Sequence, residues 1–176
     1  KIKKDYLLAY ERLIFVNLLL NEFDEVEKIY KNYIEVSNRR LEVLHNYVIF
    51  RLFFKGFKDQ DNVKLCLSII DEVMQKDKNN YRALNTYGFI LLNSGNMELA
   101  KQHFEKCLGI KDDFIHANNN LGVYFLRKGD LKVANEYFEK ALQKNINFIP
   151  AHENRLQILI IEKKFKEAKD YINKIK

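Results

Sequence analysis

The chain contains no tryptophan, one proline, six glycines and two cysteines among its 176 residues. So little proline and glycine leaves no room for a flexible linker or a low-complexity stretch, and one domain spanning residues 1–176 is expected. Cys66 and Cys107 cannot build a disulfide framework and have no zinc-ligand spacing. Both stand where a small apolar residue is wanted, so buried free thiols are expected. Long apolar runs are missing too. The longest, Leu13 to Leu20, is broken by Asn17 and falls well short of the ~20 residues of a membrane-spanning helix. No signal peptide is legible, which makes a cytoplasmic location the default expectation. The chain opens at Lys1 without methionine, and an upstream segment removed or left out is the alternative.

Reactive constellations are equally scarce. His45, His103, His116 and His152 show no metal-ligand spacing, and there is no phosphate-cradling glycine loop or nucleophile elbow. Function has to be argued from a site; with none in view, the expectation is a protein that is not an enzyme and takes no cofactor. The net charge is +6, from 30 basic and 24 acidic residues. The lysines are scattered among glutamates, as in Lys163 to Asp170, which reads as a solvated outer face. Nucleic-acid binding would need basic residues repeated with the period of the chain, and they do not recur so.

What the chain does have is a period. Tyr87-Gly88, Gly95, Met97, Ala100, Phe104 and Cys107 return 34 residues later as Leu121-Gly122, Gly129, Leu131, Ala134, Phe138 and Ala141. Apolar positions at steps of three, four and three lie on one stripe of an α-helix. The same steps occur at Phe165, Ala168, Ile172 and Ile175, at Val63, Cys66, Ile70 and Val73, and at Phe23, Val26, Tyr30 and Tyr33. Phe23 to Val63 is 40 residues rather than 34, so six residues are inserted, which predicts a lengthened helix from about Arg40 to Phe57. Gly95 and Gly129 suit left-handed helix ends, with Asn96 and Asp130 as N-caps of the next helix. Gly88 and Gly122 permit close approach of the paired helix near Ala100 and Ala134.

These residues resemble the tetratricopeptide repeat family, whose 34-residue helix pairs carry Leu-Gly, Tyr, Ala and Phe signposts. The match is strong over 81–114 and 115–148. Segments 41–80 and 149–176 (incomplete) match in their second helix, with Phe54 and Leu156 where the close-approach glycine belongs, and 5–40 matches loosely. The family's tryptophan is replaced by Leu84, Asn118 and His152, and its late proline by Lys78, Asp112 and Ile146. The resemblance implies an all-α, right-handed α-solenoid of four or five stacked antiparallel helix pairs, a surface for gripping other proteins.

By the same resemblance the first helix of each pair lines a concave groove. It would present Arg82, Asn85, Thr86 and Phe89, then His116, Asn119, Asn120, Val123 and Arg127, then Glu153, Asn154 and Gln157. Asn120 and Asn154 stand one repeat apart, and a carboxamide can both donate to and accept from a peptide backbone. Asparagine is also common here in relatives that bind no peptide. A carboxylate clamp of the family's kind is not expected. Asn120 fits its centre, but Phe89 replaces the preceding asparagine, and Pro150 and Asn154 replace the following lysine and arginine. Arg51, Lys55, Arg82 and Arg127, against Glu153 alone, lean the groove toward an acidic or C-terminal segment, or are simply solvated.

Two further surfaces are apolar: the helix through Leu13 and Leu20, with Tyr47, Phe50, Phe53, Phe54 and Phe57 after it, and the all-round apolar Ile158 to Ile161. A helix apolar on every side expects cover on every side, either from chain that continues before Lys1 and past Lys176 or from another subunit. Of the end helices, only the last, Phe165 to Lys176, reads as polar outside. The expected function is a noncatalytic module that binds a peptide segment of a partner protein. The alternative is a structural adaptor that self-associates through its apolar end helices.

Overall fold

The computed structural model describes residues 4–175; residues 1–3 and 176, the ends of the expected domain and of its last helix, lie outside the described residues. Among the described residues there are ten α-helices and no strand. They are α1 (Lys4–Leu19), α2 (Phe23–Val36), α3 (Leu41–Lys55), α4 (Gln60–Lys76), α5 (Tyr81–Asn93), α6 (Met97–Ile110), α7 (Ile115–Lys128), α8 (Leu131–Lys144), α9 (Ile149–Ile161) and α10 (Phe165–Lys174). Turns of two to four residues fold them into five antiparallel pairs. The chain forms two compact units, Lys1–Ala83 and Leu84–Lys176.

In the second unit the pairing follows the repeat. Gly95 and Gly129 have φ of 86° and 83°, and the Asp130 amide reaches back to the Phe125 carbonyl at 3.0 Å. That left-handed residue satisfies the last carbonyls of one helix while turning the chain into the next. Asp130 caps α8 through a bond from the Val133 amide at 3.1 Å, as expected. Asn96 makes no side-chain cap bond. The backbone is nearly the same at both sites, so the side chain makes the difference: a carboxylate is drawn to the positive helix end more strongly than a neutral amide. The close approach at Gly88 and Gly122 is governed by aromatic rings. A Cβ on Gly88 would stand 2.6 Å from the Phe104 ring, and one on Gly122 only 2.3 Å from Phe138. Phe104, Phe138, Cys107, Ala134 and Ala141 are fully buried along the predicted stripe.

The first unit departs from the expected register. α3 stops at Lys55, where Gly56 takes φ 68°, and does not reach Phe57. The inserted residues are shared out instead. α3 has 15 residues against 13 in α5, α4 has 17 against 14 in α6, and the turn between α3 and α4 supplies the remaining one. α3 and α5 begin 40 residues apart, so the counterpart of Gly88 is Val48, which is fully buried, and not Phe54. Phe54 faces the first helix pair, its ring 4.0 Å from Phe23 and 4.9 Å from Phe50.

The core of this unit also holds charge. Arg51 donates to Glu27 at 2.7 Å, to Asn62 Oδ1 at 2.8 Å and to the Tyr47 hydroxyl at 3.0 Å. Lys55 and Lys31 pair with the same Glu27 at 3.1 and 3.2 Å. Burial alone would raise the Glu27 carboxyl, but hydrogen bonds from Lys55 and Lys31 and the charge on Arg51 hold it down at about 2. Cys66 and Cys107 are free and buried, and burial pushes their thiols up to about 11 and about 12. Neither is poised as a nucleophile.

Candidate protein-binding site

Helices α5, α7 and α9 supply the first member of each pair in the second unit and carry most of the expected binding residues. Asparagine side chains stitch them together. Asn120 donates to Asn85 Oδ1 at 2.9 Å, and Asn154 donates to Asn119 Oδ1 at 3.0 Å. The two bonds have the same geometry one repeat apart, so the ladder runs diagonally between neighbouring helices rather than straight from Asn120 to Asn154. Asn119 is consequently buried. Thr86 is buried as well, a position the groove reading had placed on the open face. Each bond uses one amide hydrogen and one oxygen lone pair, a fraction of what two carboxamides offer.

The remaining positions divide by how firmly they are held. Phe89 and Val123 are half-buried against the core. His116 is exposed, its ring 5.2 Å from Phe114 and edge-on to Phe148 at 5.2 Å. Glu153 and Gln157 are exposed on α9. Arg127 donates to the Leu92 carbonyl at 2.7 Å and to Asn93 Oδ1 at 3.0 Å, so it caps the C-terminal end of α5, where a cation is favoured.

The basic groove is therefore corrected. Arg51 is buried and, like Lys55, bound to Glu27, because its place on α3 faces α2 and α4. Arg82 falls in the first unit, exposed, and lines a cleft of about 400 Å³ with Glu42, His45 and Asp77. Burial and the Arg82 charge hold His45 below its ordinary range.

The end helices are open. On α1, Leu7 and Ile14 are buried, but Tyr6, Leu13, Phe15 and Val16 are about half exposed or more, as is Phe53 of α3. The cover expected on every side of α1 is thus not found among the described residues. The last helix is corrected too: Phe165 is 64% exposed, and Ile172 and Ile175 are 40% exposed. Its apolar stripe is thus left uncovered among the described residues. Sequence reasoning missed the network beneath this end. Arg155 donates to Asn135 Oδ1 at 2.9 Å and Glu139 at 3.1 Å, and His152 joins the Tyr171 hydroxyl at 2.6 Å. The spacing of Asn135, Glu139 and Arg155 offered no repeated signal to find it.

Among the described residues no helix is long and apolar enough to cross a membrane, and no group of three or more His, Cys, Asp or Glu could hold a metal ion. A series of helix pairs whose first helices share a polar, hydrogen-bonding face defines a helical-repeat scaffold for binding. The tetratricopeptide repeat model matches residues 81–114 and 115–143, and these two segments are tetratricopeptide repeats. Repeats of this family serve protein–protein interaction.

By sequence the chain matches no curated protein. Its fold is similar to pilF of Pseudomonas aeruginosa, with a TM-score of 0.72 at 21% identity over 98% of this chain and 76% of that one. It is similar to part of the Cut9–Hcn1 hetero-tetramer of the APC/C, with a TM-score of 0.80 at 14% identity over 96% of this chain and 33% of that one. It is also similar to YrrB, described as a tetratricopeptide protein with an unusual peptide-binding site. There the TM-score is 0.58 at 17% identity, over 82% of this chain and 72% of that one. At these identities the likeness is one of fold.

Proposed function

We propose that the chain is a noncatalytic interaction module that holds a peptide segment of a partner protein on the shared face of α5, α7 and α9. The diagonal asparagine pairs carry this reading. Within each pair, carboxamide groups beyond the single mutual bond remain to meet the donors and acceptors of a peptide main chain. Phe89 and Val123 supply the apolar floor beside them, and Glu153 and Gln157 extend the face along α9. The fold likeness to a protein described as having a peptide-binding site agrees with it. An acidic ligand loses the support of Arg51 and Lys55, which are paired with Glu27 within the protein. Main-chain contacts, rather than a charge match, would hold the segment.

The test compares capture of partners from a cell lysate by the native chain and by Asn85→Ala/Asn120→Ala, with identification by mass spectrometry. Removing both members of the pair leaves no orphaned amide, so circular dichroism should be unchanged. Loss of a specific partner supports the face; equal capture by both overturns it. A second reading, assembly through the end helices, is favoured by the exposed apolar residues of α1 and α10.

A further inference from the structure

Helix α1 and helix α10 leave open the two halves of a contact that the chain makes repeatedly inside its own units. Three first-of-pair helices dock on the helix before them through positions at steps of four and three. On α3 these are Val43, Tyr47 and Phe50, buried against α2, with Tyr30 ring contacts at 5.5 and 5.4 Å. On α7 they are Ala117, Leu121 and Tyr124, and on α9 Ala151, Arg155 and Ile158; all are buried save the half-buried Arg155. The turns before α2 and α10 have equal length, which places Ala9, Leu13 and Val16 of α1 at the same positions. All three are exposed. The receiving side is open in the same way. Ala134, Phe138 and Ala141 of α8 are fully buried, while two of their counterparts, Ile172 of α10 and Ile175 just past its end, are 40% exposed.

Charge agrees with shape. At the two junctions of the second unit a residue of the docking helix donates to a residue of the first helix of the preceding pair: Asn120 to Asn85 and Asn154 to Asn119. The residue of α1 at the donor place is Arg12, and the residue of α9 at the acceptor place is Glu153; both are exposed. A neutral pair inside the chain becomes a cation and an anion at its two ends.

We infer that the chain associates head to tail with a second copy of itself, α1 of one copy docking on α9 and α10 of the next, with Arg12 opposite Glu153. This contact is heterologous, so each added copy presents a fresh open end. The inference rests on the assembly reading above and names the partner and the junction.

The experiment is sedimentation velocity of the purified 176-residue chain from micromolar to near-millimolar concentration. The average mass should rise with concentration above that of one chain. Arg12→Glu and Glu153→Arg each put like charges across the junction and should weaken association by roughly threefold to tenfold. An equimolar mixture of the two variants, or the double variant, should recover the native behaviour. Val16→Lys places a charge in the apolar contact and should abolish association. These positions are exposed, so the fold survives, as circular dichroism would show. The mass of a single chain at every concentration overturns both the junction and the assembly reading. Growth in mass that the charge reversals and Val16→Lys leave unchanged overturns this junction alone.

Discussion

Gly122 lies against the Phe138 ring, with no space for even one more carbon. A Cβ built there would stand 2.3 Å from the ring, and Phe138 is fully buried between helices, so the ring has nowhere to turn. Gly122→Ala should therefore destabilise the second unit by about 1–3 kcal/mol, the usual cost of overpacking a filled core. Its slightly better helix propensity offsets only part of this. Urea denaturation followed by circular dichroism measures the difference, and Gly109→Ala is the control. Nothing lies within 4 Å of the Cβ that Gly109 would gain, so that change should be neutral or stabilising by up to about 1 kcal/mol. Leu156 and Ile172 occupy the corresponding places one repeat on. There the larger residue has moved to the first helix and the smaller to the second, which keeps the sum of volumes similar.

At the scale of helices, the seam between α7 and α9 joins apolar burial to a polar bond. Asn119 is buried and accepts from Asn154 at 3.0 Å. Asn119→Ala or Asn154→Ala alone should cost about 1–2 kcal/mol, since each leaves a polar group short of its partner. The double variant should cost less than the two together, with a coupling of about 1 kcal/mol in a double-mutant cycle. Additive losses would mean that water replaces the bond freely. The helices flanking this seam were legible because their glycines and buried stripes recur at a fixed interval. The bond itself was not, because it joins residues 35 apart across two helices, one step off the repeat. Arg51 was misplaced for a related reason. A 34-residue step carried from α5 into a helix whose true offset is 40 put it on an open face, whereas burial beside Glu27 and Asn62 needs only the extra turn of α4. The exposed side of α1 was read from composition as a surface awaiting cover, but which positions stayed open depended on where α2 packs.

Across the molecule, depressed carboxylates are concentrated in the first unit, and this sets how the protein meets acid. Glu27 is held at about 2 despite its burial, through Lys55, Lys31 and Arg51, and Glu72 at about 2 through hydrogen bonds from Arg39 and Lys76. In the second unit Glu98 is lowered by Lys128 and Tyr124, but it sits at the surface in solvent, where such pairs contribute little. A carboxylate with a folded pKa below its ordinary value near 4.5 stabilises the fold above that value. That stabilisation is lost as pH falls from about 4.5 toward about 2, because the unfolded chain then binds protons the folded one refuses. The melting temperature should be nearly constant from pH 7 to about 5 and fall steeply below 4.5. Brief pepsin digestion in that acid range should cut residues 4–83 before 84–175. Glu27→Gln removes one of the two titrations and should flatten the acid limb. At neutral pH it should cost about 3 kcal/mol, because Arg51 keeps its buried charge and loses its counterion. Equal cleavage of the two units at every pH would show that the Glu27 and Glu72 clusters do not set the order of acid unfolding.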